Sequence, residues 1–343
     1  MELLQTIETL CGAVGVSGQE HSAAAAALNL LKEYAPNAEI DPFHNVYGVV
    51  RLAKEGQPAV VLDAHIDEIG MIVTYVDTHG FLKVSACGGV DRRLVLGQEV
   101  IVHGRQELHG VVAAMPPHLT AGDDSGKVSE IEQILIDVGL TRDEVKKVVA
   151  LGDRVTIKSG FHSLLGSRIA SKSLDDRSCV AVILRTLELL KGQDLSCGLS
   201  VMFSAQEETG ERGAMIAGYQ LKPDIAVALD VSFAHTPDAD ETKCGKMGAG
   251  PMIGMAPTLD RELSQRFVTL AQQNQIPYQT EVMGGATGTN ADAIGVLRGG
   301  VRMGLLSVPL KYMHTPIEMV DLSDCEATAR LLAAFLSEIG KGE

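Results

Sequence analysis

Two histidines and a set of carboxylates stand where a protein could hold metal ions and use them. The apolar segment PAVVLDA (58–64) runs into His65-Ile66-Asp67-Glu68, and LSVMFSA (199–205) runs into Gln206-Glu207-Glu208. DIAVALD (224–230) ends on Asp230, VRMGLLSV (301–308) is followed by a loop carrying His314, and Asp175-Asp176-Arg177 opens a helical segment. Taken singly, each has a plainer explanation. A histidine after a strand serves as a hydrogen-bonded turn residue, Asp230 as turn chemistry, Asp175 as a helix N-cap, and adjacent glutamates as wet surface. Taken together they differ, because separate strand ends deliver oxygen and imidazole donors to one edge of one sheet, where open α/β sheets collect ligands.

Two imidazoles and three carboxylates without a thiolate suit divalent zinc, cobalt or manganese. If two ions are to sit about 3.5–4 Å apart, one carboxylate must bridge them. Such a pair activates water and polarises a carbonyl, which leaves a general base to be supplied. The Glu207-Glu208 doublet can supply it, since neighbours at a strand end point in different directions and one can ligate while the other faces water. Asp67, two residues after His65, offers a carboxylate to fix the imidazole tautomer.

The elements that must position these groups read as α/β. A helix over 2–12 is followed by a turn through Gly12, Gly15 and Gly18, and then by a second helix. Ser17 and Glu20 have capping-box spacing ahead of the helix formers Ala23 to Leu31. VYGVVRLA (46–53) and the near-continuous apolar PAVVLDA predict strands, the second covered on both faces. From about 69 to 165 the pattern changes to short β-rich pieces (MIVTYVD, FLKVSA, EVIVHG, DRVTIKSG) with close turns and one helix near 141–150, which predicts a small barrel or sandwich. α/β texture then returns: helix 176–191, strands 199–205 and 224–230, helix 259–274, strand 301–308 and helix 323–339. The expected division is a catalytic domain of 1–68 and 166–343, with an inserted β-barrel-like domain of 69–165. Within the insert, AAMPPHLTAGDDSGKVSE (113–130) is polar; its His118 and Asp123-Asp124 read as solvated loop rather than metal ligands. DADETK (238–243) likewise reads as surface.

The blocks HIDEIG (65–70), SLDDR (173–177), SAQEETGERGA (204–214), ALDVS (228–232) and YMHTPIE (312–318) together resemble the tetrahedral aminopeptidases, a family that includes glutamyl aminopeptidases and proteins labelled cellulases. GVSGQE (15–20), LIDVG (135–139) and GDRVTI (152–157) extend the resemblance over nearly the whole chain. It implies a phosphorylase/hydrolase-like α/β sandwich with an inserted β-barrel-like dimerisation domain between the first histidine and the bridging aspartate. It also implies two divalent metal ions bridged by Asp175, with His65 and Asp230 completing one site and Glu208 and His314 the other. Glu207 is then the general base and Asp67 orients His65. Members assemble from dimers into tetrahedral dodecamers that admit short peptides. GGATGTNADAIG (284–295) places Asn290-Ala291-Asp292 where many relatives have a more compact Gly-Thr-Asp pattern, which bears on specificity rather than mechanism.

Composition narrows the alternatives. With 29 Lys and Arg against 44 Asp and Glu, the net charge of −15 disfavours nucleic acid or anionic membrane as a partner. Six scattered cysteines with no C-x-x-C pair suggest reduced thiols in a cytoplasmic protein. The start MELLQTIETLCG lacks the basic region of a signal peptide, and no apolar run reaches bilayer length. A related co-catalytic-metal carboxypeptidase or deacylase would place its inserted domain after the glutamate pair, whereas here the long gap lies between His65 and Asp175. A glycosidase needs carboxylates about 5–9.5 Å apart on opposite sides of a sugar bond, which consecutive glutamates serve poorly. A non-catalytic binding protein would not be expected to keep both the ligand set and the base.

Overall fold

The computed structural model describes residues 2–114, 128–237 and 239–341. Its centre is an eight-stranded sheet in the order Glu39–Ile40, Val46–Arg51, Gly198–Ser204, Ala59–His65, Ile225–Phe233, Arg302–Leu310, Met252–Met255, Gln279–Val282. The four central strands, 198–204, 59–65, 225–233 and 302–310, run parallel. Val46–Arg51 and Met252–Met255 flank them antiparallel.

Strand alternation sorts side chains between two covered faces. Val60, Leu62, Leu199, Val201, Phe203, Val227 and Leu229 pack under the helices Leu3–Gly12, His21–Leu31, Leu174–Leu189, Arg261–Gln273 and Leu322–Glu338. Val61, Met202, Ala226 and Ala228 meet the shorter helices Arg212–Leu221 and Asn290–Gly295 on the other face. By the same two-residue period, His65 follows Val61 and Asp230 follows Ala228 onto this second face, at the carboxyl ends of adjacent parallel strands.

After His65 the chain leaves the sheet and enters a closed antiparallel barrel of Gly70–Val76, Leu82–Cys87, Ile136–Asp137, Glu107–Val112, Glu99–His103 and Arg154–Ile157. Met71, Val73, Val84, Val100, Val102 and Val155 fill its separate core. It returns through the strands His162–Ser163 and Arg168–Ser171, the latter pairing with Glu318–Asp321. Four residues later comes Asp175. His65 and Asp175 therefore mark the exit from the sheet and the return to the helices that cover it.

Several local expectations are corrected. The helix start at Ser17 and Glu20 is not a capping box: the helix begins at His21 without a side-chain cap, Ser17 Oγ pairs with Thr209 Oγ1, and Glu20 accepts the Gly18 N–H. A capping box instead opens Arg142–Val148, where Thr141 and Glu144 satisfy each other's main chain. Asp230 does not end its strand, which continues to Phe233 because Val231 to Phe233 still pair with Val308 to Leu310. His118, Asp123 and Asp124 lie outside the described residues, as does Asp238; Glu241 to Lys243 form an exposed 3-10 turn. Among the described residues, no helix is long and apolar enough to cross a membrane.

Candidate metal centre and active site

The segments singled out above converge at the carboxyl edge of the parallel strands. His65, Asp175 and Asp230 each bring one donor atom to within 4.8 Å of the others, and Asp175, Glu208 and His314 form a second such group. Asp175 belongs to both. Its Oδ1 lies 3.0 Å from His65 Nε2, and its Oδ2 lies 3.4 Å from His314 Nε2. His314 Nε2 is also 3.4 Å from Glu208 Oε1.

The helix that carries Asp175 starts irregularly. Asp175 and Asp176 have non-helical dihedrals and the peptide bond joining them is cis. Asp175 is not a capping residue: its side chain turns to the two imidazoles, and no side chain caps this helix. Asp176, fully buried, accepts the His65 main-chain N–H at 3.3 Å.

Glu207 and Glu208 lie just past the strand ending at Ser204 and face different partners. Glu208 meets His314, whereas Glu207 Oε2 stands 4.0 Å from His65 Nε2. Asp67 holds both in place, its carboxylate accepting the Glu207 N–H at 3.0 Å and the Glu208 N–H at 3.2 Å. His65 Nδ1 is 3.2 Å from the Asp67 carbonyl oxygen and 3.4 Å from its carboxylate, so the imidazole is met by main chain and side chain of the same residue.

Charge is the dominant feature here. Five carboxylates (Asp67, Asp175, Glu207, Glu208 and Asp230) crowd the space, and the ion pairs made by the first four among the described residues are with imidazoles. Burial opposes ionisation of Asp175, yet hydrogen bonds with His314 and His65 hold it well below the ordinary range. Burial pushes Glu207 up to about 8, aided by Glu208 and Asp67 although His65 opposes the rise. Burial and the Asp176 charge likewise raise Asp230. Burial disfavours a charge on His314, but Asp175 and Glu208 carry it up to about 11. Two sets of hard donors sharing one carboxylate, with surplus negative charge between them, fit divalent cations.

Three features beyond the expected ligands and base shape the site. Glu318, in the YMHTPIE block, is buried and accepts the main-chain N–H of both Asp175 and His314. Glu68 gathers Lys172 and Arg177 together with the Gly15 N–H and Ser173 Oγ; burial opposes its ionisation, but Lys172 and Arg177 prevail and hold it at about 2. Arg177 also donates to the carbonyls of Leu10, Ala13 and Ile66, so one ion-pair network ties the first helix to the strands around His65 and Asp175. In the glycine-rich segment, Asn290 Nδ2 donates to Asp63 Oδ2 at 2.8 Å and to Ser204 Oγ at 2.7 Å, anchoring that loop to the strand carrying His65. A main-chain hydrogen bond leaves no periodic signal in sequence, and the one clue to Glu318 was an acidic residue four positions after His314.

The barrel reaches the site through Gly88 and Gly89. A side chain on Gly89 would come within 2.5 Å of His314 Nδ1, and one on Gly88 within 3.2 Å of Glu208 Cβ. Met71, Val90 and Ile157 of the barrel line a cleft beside Asp175, Glu208 and His314.

Comparison with known proteins gives a consistent family. The model of the M42 glutamyl aminopeptidase family matches residues 45–331. A lysyl aminopeptidase of Pyrococcus furiosus is 32% identical over 331 residues, covering 95% of this chain and 94% of its own. The structure of an aminopeptidase from the archaeon Desulfurococcus kamchatkensis superposes with a TM-score of 0.90 at 33% identity, over 98% of this chain and 94% of that one. A Pyrococcus horikoshii peptidase that can assemble into a tetrahedron or a large octahedral shell superposes with a TM-score of 0.86 at 28% identity, over 98% of this chain and 100% of that one. A family match across most of the sequence, joined to a shared two-part fold, means that the chain belongs to the M42 glutamyl aminopeptidase family.

Proposed function

We propose that the protein removes the N-terminal residue from short peptides, using two divalent ions and Glu207 as general base. The observation that carries this reading is the sharing of Asp175 between two donor groups with Glu207 beside them. His65 and Asp230 complete one group, and Glu208 and His314 the other. Divalent ions bound there supply Lewis acidity, polarising a peptide carbonyl and acidifying water. Zinc or cobalt suits this donor set best, with manganese compatible.

Glu207 performs the proton transfers. Its carboxylate takes a proton from the attacking water as the C–O bond forms. The same carboxyl then gives that proton to the departing amine as the C–N bond breaks. Asp67 contributes by position, fixing the main chain of Glu207 and Glu208 while meeting the imidazole of His65.

The division into a catalytic unit of 1–68 and 166–343 and an inserted unit of 69–165 is supported by the barrel closing upon itself with its own core. We assign the barrel a role in dimer formation and infer a dodecamer built from such dimers; a relative's ability to assemble into a tetrahedron supports this. The six unpaired cysteines support a cytoplasmic location.

The test is to strip the enzyme with a chelator and titrate Zn²⁺, Co²⁺ or Mn²⁺ back while following peptide hydrolysis. Two ions per chain, with activity returning as the second site fills, is the expected result. Full activity in the stripped enzyme would overturn the reading.

A further inference from the structure

Glu318 has its side chain only 2% exposed, and both of its oxygens are spent on main chain. Oε1 accepts the His314 N–H at 3.0 Å, and Oε2 accepts the Asp175 N–H at 3.1 Å. These two residues lie on segments far apart in sequence: Asp175 at the return from the barrel, His314 in the loop after Arg302–Leu310. Glu318 can reach both because its strand pairs with Arg168–Ser171, with Glu318 opposite Ser171. A single carboxylate therefore sets the distance and direction between two of the three donors in the Asp175, Glu208 and His314 group. The third, Glu208, has its main chain held by Asp67.

The other donor group is secured differently. His65 and Asp230 lie on strands paired within the central sheet, and their spacing follows from the ladder. The His65 N–H is accepted by Asp176. Of that group only Asp175 depends on Glu318. Losing the Glu318 carboxylate would thus free two donors of one group but a single donor of the other.

We propose that Glu318 is a positioning residue that sets the affinity of the ion held by Asp175, Glu208 and His314 more strongly than that of the ion held by His65, Asp175 and Asp230. The proposal rests on the two-ion reading given above. Glu318→Gln keeps the shape but turns an NH₂ group toward one of two N–H donors, so one of the paired hydrogen bonds is lost. Losing an outer partner of this kind lowers metal affinity by roughly 10–100-fold.

The experiment uses the full chain, stripped of metal and titrated with Zn²⁺ against a competing chelator, for the unaltered protein, Glu318→Gln, His314→Ala and the double variant. Melting temperatures are recorded with and without metal. The unaltered protein should bind two ions; Glu318→Gln should lose roughly 10–100-fold in one and markedly less in the other. The ion weakened more should be the one lost in His314→Ala, so the double variant should bind little worse than His314→Ala alone. Glu318→Gln leaves a buried N–H unpaired and should lower the metal-free melting temperature, and adding Zn²⁺ should raise it by less than in the unaltered protein. Unchanged affinities, an equal loss at both sites, additive losses in the double variant, or a lower metal-free melting temperature with both affinities retained would each overturn the proposal. An unaltered protein that binds fewer than two ions would contradict the two-ion reading itself and this proposal with it.

Discussion

Glu207 and Asp175 carry opposite predictions. Glu207→Gln removes the proton acceptor but none of the donors in either group, so kcat should fall by about 10²–10⁴-fold with metal content unchanged by elemental analysis. Asp175→Ala removes the shared donor, so both ions and all activity should be lost. Retained activity in the first variant, or retained metal in the second, would contradict the roles assigned. Glu68 carries a pH prediction. Its folded pKa of about 2 lies below its ordinary value of 4.5, so its contribution to stability is present above about 4.5 and fades as pH falls toward 2. Glu68→Gln leaves Arg177 buried without its charge partner and should cost about 3–5 kcal/mol near neutrality. Chemical denaturation at pH 7 and again below pH 4 should show that gap narrowing; a constant gap would mean that Glu68 acts through packing alone. Much of this was legible in the sequence, because His65, Glu207 and Glu208 follow apolar runs that read as strands. What stayed hidden were groups whose work is done on main-chain atoms. Asp176 accepts the His65 N–H and Glu318 those of Asp175 and His314, contacts that only the folded chain creates.

Among elements, the central parallel strands were the easiest to read, since strands covered on both faces are nearly continuous in apolar residues. Met252–Met255 and Gln279–Val282 at the sheet edge were missed because they are short and flanked by glycine-rich or polar segments. The helix Arg212–Leu221 was missed because Gly210 precedes it and Gly213 and Gly218 fall inside it. Packing and chemistry separate cleanly at this scale. Phe267 and Phe335 stack at 4.7 Å in the large core, away from the metal donors. Phe267→Ala should cost about 3–5 kcal/mol of stability while leaving metal affinity intact, as calorimetry and metal titration can check. Gly89→Ala should do the reverse. A methyl group there meets the His314 ring, so catalysis and metal binding should suffer with little change in melting temperature. An active Gly89→Ala enzyme with unaltered metal affinity would show that the barrel loop does not constrain His314.

For the whole molecule, the insertion of a barrel between His65 and Asp175 was visible as a change of texture, whereas its closure into six strands depends on pairings between distant segments such as Gly70–Val76 with Arg154–Ile157. A net charge of −15 works against binding to nucleic acid but says nothing about the pocket. If the barrel supports a dodecamer, light scattering should give a mass near twelve times the 36.4 kDa of the chain; a stable monomer would contradict that assembly. The proposed metal-dependent aminopeptidase activity rests on the two donor groups sharing Asp175. Its most direct test is a panel of aminoacyl-p-nitroanilides, each offered free and N-acetylated, to enzyme stripped of metal and resupplied with Zn²⁺, Co²⁺ or Mn²⁺. Cleavage of the free substrates alone, lost on chelation and restored by metal, is the result predicted. Cleavage of the acetylated forms, or silence across the panel with metal bound, would contradict it and point to a deacylase.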